Sequence, residues 1–415
     1  MISSLLVANR GEIARRIIRT ARRLGVRTVA VYSEADAGLP YVLEADEAIA
    51  IGPANPAQSY RNAQAILAAA KATGAEAVHP GYGFLSENPD FARTVEENGL
   101  IWVGPGAGAI SAMGDKINAR NLMAAAGVPV APGTTDPARS ADVAAAEAAR
   151  IGYPVMVKAA AGGGGMGMAA ARDEQALRAE YDRVSGFAER MFGDRSVLLE
   201  RYFPRVRHIE VQILGLADGR VVALGERECS VQRRNQKVLE ETPSPAVTPA
   251  LRERLCAAAV RAGEAVGYRN AGTVEFLFDP ATGDFYFLEM NTRLQVEHPI
   301  TECVYGVDLV EEQLRIASGQ PPAAPVLARP AGTNPVPTGH AIELRLNAED
   351  PKRFLPGPGA ITTWVEPAGE GIRVDAGYAA GTTVTPHYDS LMAKLVISAP
   401  DRATAIARAR AAVAR

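Results

Sequence analysis

The segment GTVEFLFDPATGDFYFLEMNTRLQVEHP, residues 272–299, restricts the fold of this chain more than any other stretch. Two alternating runs flank a turn rich in Pro and Gly, the pattern of a β-hairpin. With 280–284 as the loop, Asp279 pairs with Phe285, Leu277 with Phe287, and Glu275 faces Glu289, while Phe276, Phe278, Tyr286 and Leu288 fill the other face. Asn291 joins the two carboxylates one step along. Like charges directly opposite each other destabilise a strand pair. The pair therefore reads either as a solvated face or as a seat for a divalent cation, and oxygen ligands beside phosphate suit Mg²⁺. Arg293, Glu297 and His298 crowd just beyond and favour the cation seat.

At 415 residues the chain exceeds one ordinary hydrophobic core, so two or three domains are expected. An apolar run at 3–8, helical spacing of Ile13, Ile17, Ala21 and Leu24, a stop at Gly25 and a strand at 26–31 make a βαβ unit. Its turn, Asn9-Arg10-Gly11-Glu12, lacks the G-x-G-x-x-G of a dinucleotide site. Helices near 60–72 and 88–98 and strands at 75–79 and 100–103 continue the alternation, which predicts a doubly wound parallel domain over 1–112. A second region, 113–331, contains a glycine run at 162–165, a strand-rich stretch at 197–240, a helix at 248–266 and the hairpin. Six prolines within 321–338 mark a boundary. The third region, 332–415, has short β segments from His340 onward and ends inside an apparent helix, so it reads as a truncated mixed α+β domain.

A formal net charge of -3 argues against a nucleic-acid partner. The three cysteines, Cys229, Cys256 and Cys303, form neither a metal nor a disulfide pattern, which makes a reducing cytoplasm the expectation. No apolar stretch reaches membrane-spanning length, and the N-terminus lacks a signal-peptide pattern. Of 44 basic residues only six are Lys: Lys71, Lys116, Lys158, Lys237, Lys352 and Lys394. In a chain that uses Arg for its generic cations, a retained Lys can mark a site that needs a compact ammonium, or it can be chance.

In VMVKAAAGGGGMGM, Lys158 ends a strand and four glycines follow. Such a turn lets backbone N–H groups approach phosphate oxygens. It is not a Walker loop, and its apolar flanks are unlike those of a flexible linker. Lys116, in GDKINAR, is ambiguous alone and fits a surface residue at a helix start equally well. In RHIEVQILG and ECSVQRRNQKVLEE, alternation puts His208 and Glu210 on one strand face and Arg233, Asn235 and Lys237 on one face of another. Taken alone this is also what a charged sheet edge looks like. Each of the five histidines, taken singly, reads as structural.

Together HPGYGFLSEN, the glycine run, RHIEVQ, QRRNQKV and EMNTRLQVEHP resemble the biotin carboxylases, a branch of the ATP-grasp enzymes, and the resemblance runs from LLVANRGEIARRII to YDSLMAKLVI. It implies an α/β fold: an ATP-grasp core over 113–331 with a mobile lid at about 131–203, between the doubly wound and the mixed α+β domains. It implies ATP, Mg²⁺ (or Mn²⁺), bicarbonate and carrier-borne biotin as ligands. By resemblance, Lys116, Lys158, Gly163, Gly164 and Gly165 hold the nucleotide phosphates and Glu200 faces the adenine. His208, Gln232 and Asn235 lie near the nucleotide, although many relatives have His where Asn235 stands. Glu275, Glu289 and Asn291 hold the metal, and Lys237 lies near phosphate and bicarbonate. Arg293, Gln295 and Val296 bind bicarbonate, Glu297 deprotonates it, Arg345 stabilises the biotin enolate, and Tyr82 borders the biotin. The implied partners are a biotin carboxyl carrier, a second copy of the chain and a carboxyltransferase subunit. No A-M-K-M biotinylation motif occurs, so biotin would ride on another segment. An acyl-CoA carboxylase is the expected setting; a urea or pyruvate carboxylase, or another ATP-grasp ligase, is the alternative.

Overall fold

The computed structural model describes residues 1–160, 167–328 and 334–414. The glycines assigned to phosphate, Gly163, Gly164 and Gly165, lie outside the described residues.

Five parallel strands, β1 (Ser4–Val7), β2 (Arg27–Ser33), β3 (Glu47–Gly52), β4 (Ala77–His79) and β5 (Ile101–Trp102), form the first sheet in the order β3-β2-β1-β4-β5. Alternation along β1 builds two cores. Leu5 and Val7 pack with Ile13, Ile17 and Ile18 of the helix Gly11–Arg23, whereas Leu6 packs with Ile66 and Phe91 on the other face. This is the doubly wound arrangement expected. The helix ends where expected, with Gly25 in the left-handed region at φ 74. The turn after β1 works as a brace. Asn9 donates from Nδ2 to the carbonyls of Pro80 and Tyr82, each at 2.7 Å, and so fixes the HPGYG loop.

Three strands, β6 (Val155–Ala159), β7 (Met168–Ala171) and β8 (Val197–Arg201), pair in the order β7-β6-β8 beneath the helices Ala141–Ile151 and Glu174–Phe192. Their buried side chains, from Ala138 to Leu199, form a small alanine-rich core of their own.

The main sheet has eight strands: β9 (Arg207–Gly215), β10 (Val221–Arg233), β11 (Gln236–Thr242), β12 (Asn270–Asp279), β13 (Asp284–Asn291), β14 (His340–Asn347), β16 (Ile372–Ala376) and β18 (Leu391–Ala399). The two short strands β15 (Gly359–Ala360) and β17 (Thr383–Val384) pair apart from it. Its order is β13-β12-β9-β10-β11-β14-β18-β16. The antiparallel pair β11–β14 carries this sheet from the central region into the C-terminal one. The helix Arg402–Val413, capped by Asp401, packs on β14 and β18.

Two local expectations are corrected. In the hairpin, Glu275 does face Glu289, but nearer the turn Phe276 pairs with Phe287, Leu277 with Tyr286, and Phe278 with Phe285. A bulge at Leu288 shifts the register. In a regular strand Phe285, Phe287 and Glu289 would share one face. Burying both Phe side chains against Phe276 and Phe278, with Glu289 kept exposed on the opposite face, takes one extra residue. Nor do Arg233, Asn235 and Lys237 share a strand face. Arg234 and Asn235, at φ 52 and 64, form the two-residue turn between β10 and β11, leaving Asn235 exposed at its tip.

Candidate active site

Register places the charged side chains. Glu289, Glu275, Glu210 and Arg227 stand in one row across β13, β12, β9 and β10. Arg227 is fully buried and donates from Nε to Glu210 at 2.5 Å, with further bonds to Gln212, Thr301 and Thr273. This fork holds Glu210 rigidly. The Lys237 ammonium, projecting from β11, reaches Glu210 at 2.5 Å, Glu275 at 2.8 Å and Glu297 at 2.7 Å. Burial would lower its pKa, but the three carboxylates raise it well above the usual value.

Glu297 immediately precedes the helix His298–Tyr305, whose first turn contains Pro299. Its carboxylate is fully buried between Lys237 on Oε1 and Arg345 on Oε2, the latter at 2.9 Å. Burial pushes this carboxyl up, yet Lys237, Arg345 and Arg227 together hold it well below the carboxylate range. Arg345 also binds Glu240 at 2.7 Å through Nε. Burial moves the Glu240 carboxyl up to about 7, with Arg345 opposing and Glu297 adding to the rise.

Beside this cluster Arg293 is held by Glu87 at 2.8 Å, Gln295 at 2.9 Å and Asn291 at 3.0 Å. The Gln295 amide also donates to Glu275 at 3.3 Å. The Val296 carbonyl accepts from Lys394 at 2.9 Å. The Tyr82 hydroxyl donates to Glu12. His208 lies 2.7 Å from Glu275 and 3.0 Å from the Gln232 amide. Burial disfavours its charge, but Glu275 raises its pKa overall.

The remaining predicted residues are arranged differently. Lys158 pairs with Glu200 across β6 and β8 of the small three-stranded unit. Lys116 opens the helix Lys116–Ala125, and burial and Lys158 lower its pKa. Neither Lys116 nor Glu289 has an ion-pair partner within 4 Å among the described residues. The crowded surroundings and the charge of Glu275 raise the Glu289 carboxyl. A divalent cation fits this donor chemistry, because it would relieve the opposition of Glu275 and Glu289. Asn291, by contrast, turns its amide nitrogen to Glu275 at 2.9 Å and gives its oxygen to Arg293.

Sequence reasoning gave no role to Glu210, Arg227, Glu87, Glu240 or Lys394. The scarcity of lysine did point at Lys394. The others come from separate strands or loops, and only the folded register brings them together.

Comparison with known proteins gives a consistent answer. Residues 1–110 match the family described as biotin carboxylase, N-terminal domain, and residues 343–415 match the biotin carboxylase C-terminal domain. Between them, residues 115–323 match the ATP binding domain of the carbamoyl-phosphate synthase L chain. The chain is 51% identical to a pyruvate carboxylase subunit of Methanothermobacter thermautotrophicus over 414 residues, covering 100% of this chain and 83% of that one. It is 49% identical to a biotin carboxylase of Haemophilus influenzae, covering 98% and 90%. A solved dimer of the biotin carboxylase domain of Hydrogenobacter thermophilus 2-oxoglutarate carboxylase, complexed with MgADP, ADP and bicarbonate, superposes with a TM-score of 0.91 at 45% identity, covering 99% of this chain and 89% of that one. Fold and matches define an ATP-grasp ligase. The chain belongs to the biotin carboxylase family, the component of biotin-dependent carboxylases that carboxylates biotin.

Proposed function

We propose that this chain uses ATP and bicarbonate to carboxylate biotin borne on a carrier segment, through carboxyphosphate. The observation that carries the reading is the buried Glu297 carboxylate gripped between Lys237 and Arg345, with Arg293 and Gln295 alongside. Bicarbonate is a poor nucleophile until a base takes its proton. Glu297 is ionised and positioned for that task. Its depressed pKa makes it a weak base while both cations remain in place, so its basicity rises as Lys237 turns toward phosphate. Arg293 and the 295–296 segment would orient bicarbonate. Lys116 and Lys158, with the residues Gly163, Gly164 and Gly165, would hold the nucleotide phosphates, and Glu200, His208, Gln232 and Asn235 would border the nucleotide. Mg²⁺ or Mn²⁺ at Glu275 and Glu289 would neutralise phosphate charge when bound. Arg345, released from Glu297, would stabilise the enolate oxygen of biotin, whose ring Tyr82 would border.

The expected partners are a biotin carboxyl carrier, a carboxyltransferase and a second copy of the chain. An acyl-CoA thioester is the acceptor first expected. A 2-oxo acid is the second reading, favoured by the 51% identity to a pyruvate carboxylase component. The test is ADP release by the purified chain. Release that requires bicarbonate and rises with free biotin supports the reading. ATP turnover indifferent to bicarbonate would overturn it.

A further inference from the structure

Lys394 is a fully buried lysine on β18, about 50 or more positions from every residue given a role in the reaction above. In register it stands between Arg345 of β14 and Asp375 of β16. Two cations side by side on neighbouring strands repel, and a buried ammonium is costly unless paired. Each of the two has its own carboxylates. Arg345 has Glu240 and Glu297. Lys394 has Glu12 at 3.1 Å, from the helix Gly11–Arg23, and Asp375 at 3.9 Å.

Charge balance alone would be met by those carboxylates. Yet Lys394 directs a hydrogen bond of 2.9 Å to the main-chain carbonyl of Val296, 98 residues earlier. The peptide group is planar and trans, so fixing the Val296 carbonyl also fixes the direction of the Glu297 N–H and the position of the Glu297 Cα. The neighbouring Arg345 holds the Glu297 carboxylate itself. One row of the sheet thus grips both the backbone and the side chain of the 296–297 step.

We propose that Lys394 is a positioning residue for bicarbonate: through the Val296 carbonyl it sets the orientation of the 295–297 backbone beside Arg293. Glu12, which accepts the Tyr82 hydroxyl and pairs with Lys394, anchors the ammonium from the N-terminal domain. The inference rests on the assignment of Arg293, Gln295, Val296 and Glu297 to bicarbonate under Proposed function.

The test is steady-state ADP release without biotin, varying bicarbonate and ATP separately, on the full chain. The parent protein must first show bicarbonate-dependent release; if it does not, the functional reading fails and not this one. Lys394→Met removes the ammonium but leaves the Glu12 carboxylate buried and unpaired. The double variant Lys394→Met with Glu12→Gln removes both charges, and Asp375 retains Arg373 as its partner. In a folded variant the KM for bicarbonate should rise about tenfold or more, as expected for a lost positioning hydrogen bond to an orienting segment, with the KM for ATP within about twofold of the parent by the same reasoning. An unchanged bicarbonate KM, or equal rises for ATP and bicarbonate, would overturn the proposal. Failure of both variants to fold would also overturn it, making Lys394 a stability element.

Discussion

Two halves of the candidate site differ in how their charges are met. Around Glu297 the cations are already met: Lys237 touches three carboxylates and Arg345 touches two, while the buried Glu343 carboxyl beside Glu240 has no ion pair among the described residues. On the side assigned to nucleotide and metal, Lys116 and Glu289 have no ion-pair partner among the described residues, and Lys158 is tied to Glu200 on a unit with its own core. Under the proposed function the first half would act as a preorganised electrostatic device, with fixed charges around the place where charge changes, and the second would be matched to charges that a ligand brings. Substitutions should therefore cost stability in the first half and ligand affinity in the second.

The largest effect should follow Lys237→Met. Removing this ammonium leaves Glu210, Glu275 and Glu297 buried without their shared cation, a loss of about 3–5 kcal/mol, read as a fall in denaturant midpoint. A variant as stable as the parent would show that the three carboxylates are held apart by other means. Next is Arg345→Ala, where carboxybiotin formation should fall by about 10²–10³ while bicarbonate-dependent ADP release falls far less. Equal loss of both products in a folded variant would place Arg345 in the earlier step as well.

In the second half, Glu289→Gln should leave thermal stability near that of the parent, because its carboxylate has no ion pair to lose. It should raise the Mg²⁺ concentration needed for half-maximal ADP release, about 10-fold if its loss resembles that of one metal-site partner. Coincident Mg²⁺ titrations would remove Glu289 from the metal site.

The smallest effect concerns pH. Glu240 titrates near 7 when folded, against an ordinary value of 4.5. The folded state therefore keeps a proton that the unfolded chain releases. Its contribution to stability is fully present below about pH 4.5 and lost as pH rises through about 7. Glu240→Gln should flatten the fall in melting temperature across that window; parallel curves for the two proteins would contradict the assignment.

How much of this was legible in the sequence depended on whether a feature is local. The parallel first domain, the opposition of Glu275 and Glu289 and the helix stop at Gly25 follow from alternation and turn chemistry, and each is present. The bulge at Leu288 was not legible, because it is decided by which side chains the far side of the sheet can bury. The turn at Arg234 and Asn235 lacks the Asn-Gly or Asp-Gly signal that marks such turns, so an unbroken strand face was the natural reading. The motifs supplied Glu297, Lys237 and Arg345, but their meeting depends on β11 pairing with β14, which joins residues about 100 positions apart. Lysine scarcity singled out Lys116, Lys158, Lys237 and Lys394, and it could not separate them from the exposed Lys71 and Lys352.

The central claim is that Glu297, poised between Lys237 and Arg345, is the base that activates bicarbonate. The most direct measurement is bicarbonate-dependent ADP release by Glu297→Gln, which keeps the shape of the side chain and removes its basicity, with folding checked by thermal melting. A loss of about 10²–10⁴ in the folded variant, with nucleotide affinity unchanged, is the predicted result. ADP release at the parental rate would contradict the account.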